Sequence, residues 1–145
     1  MKTAELTGAA LDWTVAKCEG KNGVLHDDGI TRCIVIASES GVYKGIWKPS
    51  TNWAQGGPII EREGISPIFC DGDLGEPQSY WVATIEKQCW EWGYGPYHDQ
   101  DEKKSIRTGY KNELFKGPTP LIATMRCYVA SKLGDNVEIP KELTP

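Results

Sequence analysis

Histidine, phenylalanine and methionine are scarce, with two of each in 145 residues. The two histidines, His26 and His98, lie far apart in the chain, and no Cys-x-x-Cys pair accompanies them. A structural zinc centre needs four ligands at close spacing, so no metal is expected. The five cysteines, Cys18, Cys33, Cys70, Cys89 and Cys127, are odd in number and widely spaced. Disulfide frameworks of secreted proteins favour even counts in shorter chains, which points here to free thiols in a reducing compartment. No apolar run approaches the ~20 residues of a membrane span. The opening Met1-Lys2-Thr3-Ala4-Glu5 lacks the apolar core of a signal peptide. Neither a Gly-x-x-x-x-Gly-Lys-Ser/Thr phosphate loop nor a Gly-x-Ser-x-Gly elbow is present. Basic charge is lacking as well: a net charge of -4 and a pI near 5.2 argue against direct contact with nucleic acid.

What remains is an ordinary globular composition, 39% hydrophobic and 25% charged, at a length that suits one domain. Thr7 as N-cap, with Leu6 and Leu11 as a hydrophobic staple, predicts a helix that ends at Gly20. Residues 2–5 read as a short lead-in strand and 21–29 as a turn-rich segment. The β-branched run 30–37 and the segment 42–47 read as strands of one hairpin about Glu39-Ser40-Gly41. Pro58 suits the first position of a short helix through Glu63, stopped by Gly64. Residues 65–70 and 79–85 read as further strands, and 86–116 as a hairpin or loop excursion. Thr119 as N-cap and Pro120 at the first helical position predict a last helix ending at Gly134, with 137–145 extended. The expectation is one α+β domain over 1–145, an antiparallel sheet packed against an N-terminal and a C-terminal helix.

Aromatic residues are the unusual surplus: six Trp and six Tyr. Each carries a polar group on a flat apolar body, which suits a surface that is both adhesive and wet. Trp13 and Trp81 lie on regular elements and read as core. Trp47 and Trp53 bracket a Gly-rich central stretch; Trp90, Trp92, Tyr94 and Tyr97 crowd a second one. In the central stretch Gly56 and Gly57 allow backbone N–H groups to approach a ligand. A helix beginning at Pro58 would add a modest anion site. Ser50, Thr51, Asn52 and Gln55 supply neutral donors and acceptors, and Arg62 suits a phosphate or carboxylate. Arg126, mid-helix, is either an exposed helix former or a group that points into a cleft or pairs with an acid such as Glu61. Trp47, Ser50, Thr51, Asn52, Trp53, Gln55, Gly56, Gly57, Arg62 and Arg126 together form the candidate binding set for a nucleotide-like ligand, whose base could stack on indole. Each also has a bland reading, the loop residues as a self-satisfied cap and the indoles as core.

Other constellations are weaker. Asp71-x-Asp73-x-Gly75 resembles part of a calcium loop but lacks the distal bidentate Glu. His26 with Asp27 and Asp28, and His98 with Asp99 and Asp101, read as solvated loops. Glu61 and Glu63 are two apart, so on a helix they do not share a face. No catalytic residue, cofactor or membrane contact is expected.

Three stretches carry a family resemblance. They are residues 6–13 (Leu-Thr-Gly-Ala-Ala-Leu-Asp-Trp), 49–63 (Pro-Ser-Thr-Asn-Trp-Ala-Gln-Gly-Gly-Pro-Ile-Ile-Glu-Arg-Glu) and 117–130 (Gly-Pro-Thr-Pro-Leu-Ile-Ala-Thr-Met-Arg-Cys-Tyr-Val-Ala). With the acidic, Pro-containing tail they resemble the NinX-like proteins of lambdoid phages and prophages. The resemblance implies a phage protein working in the host cytoplasm and supplies no reaction. The sequence therefore predicts a non-catalytic phage binding protein. One form is a sponge that sequesters a nucleotide-derived host immune signal, the site shared in a homo-oligomer. The alternative is an adaptor or inhibitor that binds a host or phage protein, including an accessory factor in phage recombination or replication.

Overall fold

The computed structural model describes residues 1–71, 79–85 and 116–144. Helix α1 runs Gly8–Cys18 and α2 Trp53–Glu63; the last helix, here α3, runs Pro120–Leu133. Strands β1 Gly23–Asp27, β2 Arg32–Ala37 and β3 Tyr43–Trp47 form one antiparallel sheet in that order. Strands β4 Ile65–Cys70, β5 Tyr80–Ile85 and β6 Lys116–Gly117 form a second. The fold is α+β, and its expected antiparallel sheet is present as two three-stranded sheets.

The helix signals act where the sequence places them. Thr7 is the N-cap residue of α1, and both staple residues, Leu6 and Leu11, are completely buried. Thr119 caps α3 through its hydroxyl, which accepts from the Ile122 N–H at 3.2 Å. In α3 the side chains from Ala123 to Val129 are all buried, because the helix is packed by both helices and by β4, β5 and β6. An all-round apolar helix seeks such a central position. Its Met125, Tyr128 and Val129 meet Leu6, Leu11, Val15, Ile34, Ile65 and Ile85 in one core. Each fully buried side chain of this kind stabilises by roughly 1.5–3 kcal/mol.

Three local expectations are corrected, the last of them the extended tail over 137–145. Residues 3–5 form a 3-10 turn rather than a lead-in strand; only Lys2 makes a bridge, to Asn136. The supposed turn 21–29 contains β1, whose Val24 and Leu25 pair with Val35 and Ile34. The hairpin expected at 30–47 is present as β2 and β3, with Trp47 opposite Ile34. In the tail, Val137 and Leu143 are buried and 141–143 coil into a 3-10 turn. The excursion expected over 86–116 lies, apart from Lys116, outside the described residues.

Candidate functional site

Between β3 and α2 the chain makes a tight junction, and most of the candidate residues are there. Helix α2 begins at Trp53, not at Pro58, because Asn52 caps it: its Oδ1 accepts from the Ala54 N–H at 2.9 Å. Pro58 therefore sits inside the helix. The helix start expected at Pro58 lies at Trp53, and the Ala54 N–H of its first turn is already engaged by the cap. The N–H groups of Gln55 and Gly56 both bond the Asn52 carbonyl, at 3.1 and 2.9 Å. Gln55 spans back to β3: Nε2 donates to the Ile46 carbonyl at 2.8 Å, and Oε1 accepts from the Lys48 N–H at 2.7 Å. One amide thus mimics a neighbouring strand at the end of β3, an edge strand that otherwise offers unpaired groups.

Gly56 faces inward. A Cβ there would lie 2.6 Å from the Pro49 carbonyl oxygen and 2.8 Å from Leu121 Cδ2, so the residue is small because α2 packs closely on that loop. Gly57 has open space around it. Thr51 is exposed, and Trp53 is 53% exposed on the first turn of α2.

Trp47 points the other way, into the partly buried layer against the core, with Lys21 Nζ 5.1 Å from its ring. Its Nε1 and the Ser50 Oγ are buried without a hydrogen-bond partner among the described residues. The Ser50 N–H donates to Asp12 Oδ1 at 2.9 Å. Asp12 stands on α1, is 5% exposed, and was not among the sequence candidates. Burial pushes its carboxyl up to about 6, against the opposing pull of the Ser50 N–H and the Lys48 charge. The signal was available in principle: an Asp two residues beyond Ala10 on a helix whose neighbours Leu11 and Val15 are core.

The two arginines are engaged elsewhere. Arg62, at the far end of α2, bonds both oxygens of Glu19, at 2.5 and 3.2 Å, and Glu63 at 3.1 Å. Glu19 also accepts from the Tyr128 hydroxyl. Burial opposes ionisation of Glu19, yet these donors hold its carboxyl below the usual range. Lys132 meets Glu63 at 2.9 Å, so the ends of all three described helices share one ion network. Arg126 is 9% exposed, so it is not the exposed helix former the sequence allows, and it bonds backbone carbonyls rather than Glu61. Its Nε donates to the Leu6 carbonyl at 2.9 Å and Nη1 to the Lys116 carbonyl at 2.6 Å, tying the N-terminal segment and β6 to α3. Thus Trp47, Ser50, Thr51, Asn52, Trp53, Gln55, Gly56 and Gly57 lie along one junction, while Arg62 and Arg126 serve two other joints. Trp90, Trp92, Tyr94 and Tyr97 lie outside the described residues.

A different surface stands out on the first sheet. Gly23 faces Ala16 and Trp13 of α1, so its side of the sheet is the covered one. Side chains alternate across a strand, which places Val24, Val35 and Ile46 on the opposite side. The register sets these three in one row across all three strands. Val24 is 37% and Ile46 51% exposed. His26 and Cys33 pair next to them on the same side, and His26 Nε2 lies 3.7 Å from Asp28 Oδ2. Among the described residues no group of three or more His, Cys, Asp or Glu side chains is placed to hold a metal ion, and no helix is long and apolar enough to cross a membrane.

The family model described as Bacteriophage P22, NinX matches residues 2–132. No curated protein matches the chain.

Proposed function

Because the chain belongs to the bacteriophage NinX family, we propose that it is a phage protein that works by binding another protein, as an adaptor or inhibitor, without catalysing a reaction. One observation carries this reading. Of the eight large apolar residues exposed among those described, five lie on the first sheet and its turns: Val24, Ile30, Val42, Tyr43 and Ile46. Single exposed apolar residues are ordinary; a group on one element marks an interaction surface. Co-purification from bacterial host cells tests it, comparing the wild type with the Val24→Ser, Ile46→Ser double variant. The same partner must be retained by the first and lost by the second, while both melt cooperatively. Equal recovery from both ends this assignment of the surface.

Sequestration of a nucleotide-derived host immune signal is the second reading. It is favoured by Trp53, an exposed indole on the first turn of α2 with Thr51 exposed beside it. A stacked base on such an indole is worth about 1–3 kcal/mol. Calorimetry against cyclic and ADP-ribose-type nucleotides should give binding heat that Trp53→Ala abolishes; no heat with folded protein sinks it.

A further inference from the structure

We propose that the β1–β2 turn is a preformed anchor whose Ile30 enters an apolar socket, rimmed by Lys or Arg, on a partner protein. This deepens the protein-binding reading and rests on it. Ile30 is 95% exposed, the most exposed large apolar side chain described. The turn that presents it is built by polar groups of its own. Asp28 Oδ1 accepts from the Ile30 N–H at 2.9 Å and the Thr31 N–H at 2.6 Å, and Asp27 Oδ1 accepts from the Gly29 N–H at 3.1 Å. Gly29, at φ +80°, takes the left-handed conformation that a side chain there would resist. The stem is braced as well: Arg32 pairs with Asp27 at 3.8 Å and donates to the Glu142 carbonyl. An apolar side chain held on a turn that is already ordered loses little conformational freedom on docking.

The flanking charges select the partner. The Asp27 and Asp28 side chains are about half exposed, at 47% and 49%. The Thr31 and Ile30 N–H groups hold the Asp28 carboxyl below the usual range, so it stays ionised. Inserting Ile30 brings Asp28, and Asp27 with its Arg32 partner, to the lip of the socket, two carboxylates against one guanidinium. An acidic lip would repel them, and an apolar lip would strip their water without replacement; a basic lip complements them. The same carboxylates oppose a phosphate backbone or an anionic membrane.

The test uses the full chain in bacterial host cells. Thr31→p-benzoylphenylalanine places a photoreactive group beside an intact Ile30, and Lys44→p-benzoylphenylalanine places one on the outer sheet face. Mass spectrometry reads the cross-linked residue, and the purified partner is then titrated. The expected result is an adduct from position 31 inside an apolar hollow bearing Lys or Arg. Ile30→Ala should weaken binding about tenfold or more, as a central anchor does, and Ile30→Val by less than about threefold. Asp28→Asn keeps an acceptor for the turn and should flatten the salt dependence. Adducts from position 44 alone would overturn the anchor and leave protein binding standing; none from either position would remove both. A hollow without a basic rim, a cross-link to lipid or nucleic acid, or an Ile30→Ala change under twofold would each overturn the anchor.

Discussion

Asp12 and the two central glycines show how much a single side chain's surroundings matter here. The folded state raises the Asp12 carboxyl from its ordinary 3.8 to about 6, chiefly by burial. A raised value means that the protonated form is favoured on folding. The contribution is complete below about 3.8 and lost as pH rises through about 6; at about 1.4 kcal/mol per unit it is on the order of 3 kcal/mol. Asp12→Asn keeps an acceptor for the Ser50 N–H and removes the ionisation. Urea midpoints from pH 4 to pH 8 should therefore show the variant gaining on the wild type with rising pH, and a constant gap would refute the assignment. Gly56 and Gly57 divide in sign. Gly56→Ala forces a Cβ against the Pro49 carbonyl and should cost roughly 1–3 kcal/mol. Gly57→Ala, in open helical space, should stabilise by roughly 0.5–1 kcal/mol, read in the same titrations. The sequence treated these neighbours as one ligand-approach motif. Which of two adjacent glycines is packed depends on Leu121, sixty-five positions away, and no local pattern contains that.

At the scale of elements, legibility followed the strength of the end signals. Helix α3 carries a Thr119 cap and a glycine stop, α1 starts after Thr7 on its hydrophobic staple without a side-chain cap bond, and β4 appears over the expected 65–70. Helix α2 was misplaced because Ala-Gln-Gly-Gly-Pro reads as a turn; the Asn52 cap, a stronger start signal than the proline, begins the helix ahead of it. β1 was hidden among Asn, Asp and Gly residues that flank it and form its turn. The arginines separate for another reason: Glu19, which holds Arg62, and the Leu6 carbonyl, which holds Arg126, are distant from them in sequence. Arg126→Met should be strongly destabilising, at roughly 1–3 kcal/mol for each carbonyl, Leu6 and Lys116, left without its donor. Arg62→Met removes a half-exposed side chain and leaves Glu19 its Tyr128 donor and Glu63 its Lys132 partner, so it should cost less, about 1 kcal/mol. Thermal melts of the two variants side by side decide it, and comparable losses would contradict this ranking.

At the scale of the whole molecule, the described residues hang two unlike sheets on the helices. The second is packed directly on α3, whereas the first has α1 on one side and exposed apolar residues on the other. Opening free energy follows local burial. Amides of α3 and β5 should therefore exchange with solvent most slowly and those of β1 and β3 sooner. Hydrogen exchange read by segment checks this, and equal protection would mean that the first sheet is buried by something further. That α+β organisation was legible from the pattern of elements; the division into two sheets was not, because pairing partners are fixed by packing rather than by any one strand.

Met1 donates to the Val137 carbonyl at 2.9 Å, and Thr3 reaches both Asp135 and Gly134. Groups 131 and 136 positions apart along the chain are thus clasped to each other. Such a closure costs chain entropy that is recovered only once the intervening elements are in place. Cutting the covalent path between the two halves of the clasp would leave only side-chain and backbone contacts to hold it shut.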